Sequence, residues 1–507
     1  MDASLARRSL VSTLSTLAAA ATLGGLGACV GTPRVAGVAG AAPAPNVPWT
    51  PPPSAVRAQL RTDSVAHAAP PALPADLAER IHRLTLAEVV DLALRNNTAT
   101  RIAWANAQAA AASYGSATGE WLPTVDGNVS GARVKTAASQ GRTAVQQWVF
   151  TPSVSLSYLL FDFGGRTGRV SEAKQTLLAA GFGHNAAIQD VILQSEVAYF
   201  NYVQSRALLE AQRTTLREAE ANLAATEERR RVGLATIADV LQARTAASRA
   251  ALNLQTTEGQ VQTTRGALAL ALGVPANLPY DIDSTAAEVP IAQLADSVET
   301  IIATAIRQRP DLAAARAQAE AAHARISQLR AARLPALAFS ANGGRTYTTN
   351  NPSGANSYTL QLGLSIPLFA GFSRAYDQRA AEFRAEAAAA QAEQVRQRVV
   401  YDVFASYYDL QTSTRRVRTA EDLLASATQS SEVALARYKA GVGTILDLLN
   451  AQSALADARN ELIQSRLAWS VSLAQLAHDA GLLDTRGGSP LRLTPVTLPD
   501  STQTPNR

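Results

Sequence analysis

Residues 229–244 read RRRVGLATIADVLQAR, and residues 437–452 read RYKAGVGTILDLLNAQ. The two align without a gap at an offset of 208: Arg229 with Arg437, Gly233 with Gly441, Thr236 with Thr444, Ile237 with Ile445, Asp239 with Asp447, Leu241 with Leu449. In each, a basic helical stretch ends, a glycine follows, and Thr-x-x-Asp opens the next stretch. Glycine just past a helix C-terminus supplies the left-handed residue that ends the helix. Threonine with a carboxylate three residues later is an N-cap box. Each stretch therefore reads as the tight tip of a helical hairpin, and the chain writes it twice.

The duplication extends outward from these tips. LALRNNTATRIAWANAQAAAA (92–112) returns as TAIRQRPDLAAARAQAEAAHA (304–324), and LPTVDGNVSG (122–131) as LPALAFSANG (334–343), both at offset 212. VSLSYLLFDFGGR (154–166) returns as LGLSIPLFAGFSR (362–374) at offset 208, so the connection between the second and third matches is four residues longer in the first half. A repeat of this length is a duplicated structural half, not a solenoid unit.

Each half opens with one helix. In the first, Leu86, Val89, Val90, Ala93 and Leu94 share a face, Thr85 with Glu88 forms a start signal, and the helix is expected to run to Trp121. Two strands follow. Val154, Leu156, Tyr158 and Leu160 alternate with Ser153, Ser155 and Ser157; Leu362, Leu364, Ile366 and Leu368 alternate with Gln361, Gly363 and Ser365. Alternation of apolar with small polar residues suits a sheet between two different solvents, and also an ordinary half-buried strand. Four such segments in an exported chain fit a transmembrane β-barrel. Four strands cannot close a barrel, and an open sheet edge is not tolerated in lipid. Several copies must therefore contribute strands.

Proline-free segments 167–232 and 374–440 follow the strands. At 1.5 Å per residue each spans about 100 Å. Seven-residue spacing marks the outgoing helices (Tyr202, Leu209, Leu216, Leu223; Leu410, Val417, Leu424). It also marks the returning ones (Val240, Ala247, Leu254, Val261, Leu268; Leu448, Leu455, Leu462, Trp469, Leu476). Such spacing means nearly parallel helices packed knobs into holes.

The N-terminus carries an export signal. Arg7 and Arg8 precede an uncharged stretch that ends Leu26-Gly27-Ala28-Cys29. This resembles a bacterial lipobox, with cleavage before an acylated Cys29, and Val30 in place of aspartate favours the outer membrane. An ordinary signal peptide or a retained helix is the plainer alternative. A Pro- and Ala-rich tether follows. Across 507 residues, 5% are aromatic, the net charge is +5, and arginine is interleaved with acids along the helices, which reads as solvated helix faces rather than a nucleic-acid surface. A lone cysteine excludes an internal disulfide, and His67, His82, His184, His323 and His478 lack metal-ligand spacing. No nucleotide-binding, zinc-protease or serine-hydrolase motif occurs, so no enzyme, metal or cofactor is expected.

The two tips, the paired Leu-Pro strand entries and the Leu-Phe exits (Leu160-Phe161, Leu368-Phe369) resemble the TolC-like outer membrane efflux proteins over about 80–480. The resemblance implies an α+β membrane protein. It implies three copies forming a twelve-stranded barrel in the outer membrane, continuous with a periplasmic α-helical barrel. A periplasmic adaptor and an inner-membrane transporter of RND, ABC or MFS type would join it for efflux or type I secretion. The expected layout is signal peptide 1–28, lipid anchor and tether 29–80, first repeat 81–272 with strands in 123–161, connector 273–297 in an equatorial region, second repeat 298–481 with strands in 335–369, and a polar tail 482–507.

The resemblance also assigns roles at the tips. Asp447 becomes a pore-constricting ring as well as a cap, with Asn450 one turn on where some relatives carry a second aspartate. Tyr438 becomes a latch residue with Asp239 as partner. Gly443 stands where some relatives place an arginine, so Arg437 or Lys439 would serve instead. Gly233, Leu234, Thr236, Gly441 and Thr444 become adaptor-docking positions. Two other readings stay open on the residues alone: a periplasmic adaptor, which would have one hairpin and soluble β-domains, and a structural coiled-coil envelope lipoprotein, which would not need the strands.

Overall fold

The computed structural model describes residues 46–47, 84–136, 145–277, 280–282, 292–294, 297–483 and 493–495. The signal peptide, Cys29 and nearly all of the tether lie outside the described residues. In chain order the elements are α1 (Leu86–Asn96), α2 (Thr98–Gly119), β1 (Thr124–Thr136), β2 (Val145–Phe161), α3 (Gly165–Arg231), α4 (Ile237–Leu272), β3 (Ala292–Leu294), α5 (Val298–Gln308), α6 (Pro310–Ala331), β4 (Ala336–Thr348), β5 (Asn351–Ser365), α7 (Ser373–Lys439), α8 (Ile445–Asp479) and β6 (Leu493–Pro495).

The single opening helix expected in each half is two helices. Asn97 ends α1 and caps α2: its amide donates to the Ala93 carbonyl, and its side chain accepts from the Ala99 amide at 2.8 Å. The second half breaks at the matching Arg309, with Pro310 at the first position of α6, where a missing N–H costs nothing. Both breaks sit where the return helix of the same half ends. A Cβ on Gly273 would lie 2.8 Å from the Asn96 carbonyl carbon, and one on Gly481 would lie 3.1 Å from the Arg309 nitrogen. The close crossing needs glycine in both halves.

The large sheet is antiparallel in the order β1-β2-β4-β5, so each half supplies one hairpin and the halves join at β2–β4. Its register sorts the faces. Val125, Leu156, Ala341 and Leu360 form one cross-strand row, and Tyr158, Phe339 and Leu362 another. The rows on either side of the first are Asp126, Ser155, Asn342 and Thr359, and Thr124, Ser157, Ser340 and Gln361. One face is therefore apolar and the other polar across all four strands. The apolar residues of β1 and β5, including Val125, Val129, Tyr358, Leu360 and Leu362, are exposed. No core covers them among the described residues. Strand β5 stops at Ser365, short of the expected Leu368, because Pro367 cannot donate to a ladder.

At the base of the sheet, Arg166 is buried against Trp121 with its guanidinium 4.3 Å from the ring centroid, and it donates to the Leu160 carbonyl at 3.2 Å. Edge-to-face pairs Phe161–Phe163 and Phe369–Phe372 repeat at this level in the two halves.

Below the sheet α3 and α7 run 67 residues each, about 100 Å. The heptad residues of α4 and α8 are buried or half-buried at every position, from Val240 to Leu268 and from Leu448 to Leu476. Each half has its own apolar cluster: Leu92, Ile188, Tyr199 and Leu268 in the first, Leu312, Val403, Leu410, Trp469 and Leu476 in the second. The chain segments between and after the halves meet near the helix breaks. Leu84 bridges Ile282, and β3 pairs antiparallel with β6, so the polar tail contributes a strand.

Candidate functional site at the hairpin tips

Both tips close by the same backbone device. Leu234 N–H donates to the Arg229 carbonyl at 2.7 Å and Gly233 N–H to Arg230 at 3.0 Å; Val442 N–H donates to Arg437 and Gly441 N–H to Tyr438, each at 3.1 Å. This is the Schellman pairing. It requires a left-handed residue, and Gly233 and Gly441 have φ of +80° and +76°. Nothing lies within 4 Å of a Cβ built on either glycine, so conformation and not crowding selects them.

Each return helix then starts with a full capping box. Thr236 donates its amide to Asp239 Oδ2 at 2.7 Å and accepts from the Asp239 amide at 3.2 Å; Thr444 and Asp447 make the same two bonds at 3.2 Å each. The hydrogen bonds from Thr444, reinforced by the Arg437 charge, hold the Asp447 carboxyl below its ordinary range. It is fully ionised at neutral pH. Asp447 and Asn450 are both exposed, three residues apart at the start of α8.

Tyr438 pairs differently from expectation. Its ring is buried, its hydroxyl lies 3.3 Å from Thr226 Oγ1, the Arg229 guanidinium stands 4.7 Å from its ring centroid, and Arg229 Nη1 donates to its carbonyl at 3.0 Å. Asp239 is not its partner within the chain, because that carboxylate is engaged in its own cap. Thr226 and Arg229 were not singled out as binding residues by the sequence, although Arg229 opens the quoted motif. Arg437 and Lys439 are exposed. Gly443 is where it is for space: a Cβ there would sit 3.0 Å from the Arg437 Cβ.

The tips differ in surface. Leu234 and Val442 are each 69% exposed at their apices. Ile237 and Leu241 are exposed on the first tip, whereas the matching Ile445 is buried with Tyr438 and Leu448 on the second.

Comparison with known proteins converges on one family. Residues 89–274 and 301–482 match the family described as outer membrane efflux protein, one segment per half. The chain belongs to the outer membrane efflux protein family. Among relatives of this family, the chain is 29% identical over 390 residues to the protein CyaE of Bordetella pertussis, covering 75% of this chain and 81% of that one. It is 26% identical over 418 residues to the probable efflux pump outer membrane protein TtgC of Pseudomonas putida, covering 80% and 84%. Among solved structures, a membrane protein from Pseudomonas aeruginosa superposes with a TM-score of 0.72 at 24% identity, covering 82% of this chain and 99% of the other. The outer membrane protein VceC of Vibrio cholerae gives 0.69 at 22%, covering 78% and 96%. As a member of this family, the protein is an outer membrane efflux channel reaching into the periplasm. Adaptor and spacer readings, which had stayed open on the residues alone, are set aside.

Proposed function

We propose that three copies of this chain form the exit duct of a tripartite efflux or type I secretion system. Their twelve strands close one barrel in the outer membrane, and their helices form one periplasmic tunnel. The observation that carries this reading is the four-stranded sheet with one apolar face, one polar face and two unpaired edges. A sheet with open edges does not survive in hydrocarbon, and closure by further copies removes both edges. The apolar face then meets lipid and the polar face lines water. Acylation of Cys29 anchors each copy to the outer membrane.

The tips close the periplasmic end. Three copies of Asp447, ionised and exposed, form a ring of like charge that constricts the passage and attracts cations, with a neutral ring of Asn450 one turn away. Tyr438, held by Thr226 and Arg229, keeps the second tip against the first, with Arg437, Lys439 and Asp239 as further latch residues of the closed assembly. The exposed apices around Gly233, Leu234, Thr236, Gly441 and Thr444 receive a periplasmic adaptor, which couples the duct to an inner-membrane pump.

Planar bilayers test this. The purified protein should conduct in small steps, and Asp447→Ala combined with Tyr438→Phe should enlarge the steps and weaken cation preference. Absence of any conductance in wild type and variant alike would rule out a duct; unchanged conductance and selectivity in the variant would remove the gate from these residues.

A further inference from the structure

The lower half of each copy is a row of four long helices, α4, α3, α8 and α7, with α4 and α7 at its ends. Those two end faces carry exposed apolar residues. On α7 they are Tyr401, Phe404 and Tyr408, the last two with ring centroids 4.8 Å apart. On α4 they are Leu252 and Leu270, the latter 79% exposed. Between the two leucines sits Gly266, with nothing within 4 Å of a Cβ built on it. A mid-helix glycine weakens its helix, and within one copy nothing is gained from it.

The internal duplication supplies the missing partner. Within one copy α3 meets α8 where Gln189 Nε2 donates to the Gly481 carbonyl at 3.3 Å, where Asp190 meets His478 at 2.9 Å, and where Gln212 donates to Asn460 at 3.3 Å. Shifting these pairs by the repeat offset of 208 carries α3 onto α7 and α8 back onto α4. Arg398 then faces Leu270, both exposed, and Leu252 falls opposite Ala420, which its own copy already buries. On the same register Tyr401 and Phe404 stand opposite Leu270 and Gly266. The equivalent of Gly266 on α8 is Ala474, which is buried, and the α3 equivalents of the aromatics, Leu193, Glu196 and Phe200, are half-buried. Near the helix breaks, the exposed Tyr401, Phe404 and Leu270 are thus at positions that the copied seam covers.

We infer that neighbouring copies join by an aromatic-into-glycine contact, with Phe404 of one copy seated over Gly266 of the next and Tyr401 packed on Leu270. The occupant of both faces is a second copy of the same chain. This rests on the three-copy reading above and adds its contact residues. At this level the copies meet through Phe404 and Gly266, where the equivalent positions inside each copy are Glu196 and Ala474.

The test uses the full chain expressed in a bacterial outer membrane. Phe404→Cys with Gly266→Cys should yield, on mild oxidation, covalently linked copies on a non-reducing gel, whereas either single variant should not. Gly266→Leu should lower the temperature at which detergent-extracted oligomer dissociates, and adding Phe404→Ala should restore part of it. If the wild type is shown to be a trimer by native mass and the cysteine pair gives no linked copies, the contact is wrong and the assembly stands. If the wild type is a single copy, the assembly itself is wrong.

Discussion

Inside each hairpin the helices meet through apolar side chains; between the two hairpins of one copy they meet through polar ones. α7 and α8 are held by Val403, Leu410, Val417, Trp469 and Leu476, with the Trp469 indole donating to Thr414 at 3.1 Å. From the breaks to the tips, α3 meets α8 through Gln189, Asp190 with His478, Gln212 with Asn460, Glu218 with Arg459, and Asn222 with Gln452. At the tips it meets the end of α7 through Thr226 with Tyr438. Apolar contact supplies most of what holds each hairpin together, since its stabilisation grows with the area removed from water. Polar contact gives a seam of fixed register whose net stability is small, because its groups are solvated equally well when apart. Rods that hold and a seam that parts are what a tunnel closed at its tips requires.

The comparison is broken most severely inside a hairpin. Leu476→Ala, at a fully buried position, is expected to cost about 2–5 kcal/mol, read as a large drop in melting temperature of the extracted protein. The next largest effect lies in the seam near the breaks. His478 sits between two carboxylates, its Nε2 2.9 Å from Asp190 and its Nδ1 3.1 Å from Asp479. A neutral imidazole donates from only one nitrogen, so both contacts call for the charged ring. Burial opposes that charge, but the hydrogen bonds to Asp190 and Asp479 outweigh it and lift the group to about 9 from 6.5. Asp479 itself is held below its ordinary range by His478 and Gln475 against its burial, and Arg309 stands 4.0 Å away, bridging to Asp402 and Asp311. Because the folded value is raised, the stabilisation is complete below pH 6.5 and is lost as pH rises through about 9. Melting curves should show that decline in wild type, on the order of 2 kcal/mol given the exposure of Asp190, and a flat profile over the same window in His478→Gln.

A smaller effect separates the tips from the seam. Thr444→Ala removes one cap and should cost about 1 kcal/mol, with Thr236→Ala equal to it in melting temperature. The smallest stability change is expected where the seam is cut between the breaks and the tips. Arg459→Gln removes a partly exposed pair to Glu218, worth under about 1 kcal/mol, yet it should raise the channel's open fraction in bilayer recordings. An unchanged open fraction would mean that the seam does not part.

Much of this was legible in the residues. Gly233 and Gly441 announced the tips because only a left-handed residue closes that turn, and the alternation in β2 and β5 announced a two-faced sheet. The helix breaks were not legible. Asn97 serves as the end of one helix and the cap of the next, and only Pro310 gave an outward sign. Tyr438 was tied to Asp239, yet its partners Thr226 and Arg229 lie on another helix, at a contact that only the packing of α3 beside α7 and α8 defines. The strand end at Ser365 is legible in Pro367, although the apolar alternation continues past it to Leu368. Sequence patterns reported what a backbone must do locally; which side chains meet across hairpins depended on the rotation of whole helices about their axes.

The most direct measurement is the native mass of the detergent-extracted particle. Three copies per particle are expected, closing the sheet edges at Thr124–Thr136 and Asn351–Ser365 between neighbours; a particle holding one copy, stable and with those edges unpaired, would contradict the closed barrel on which everything else here is built.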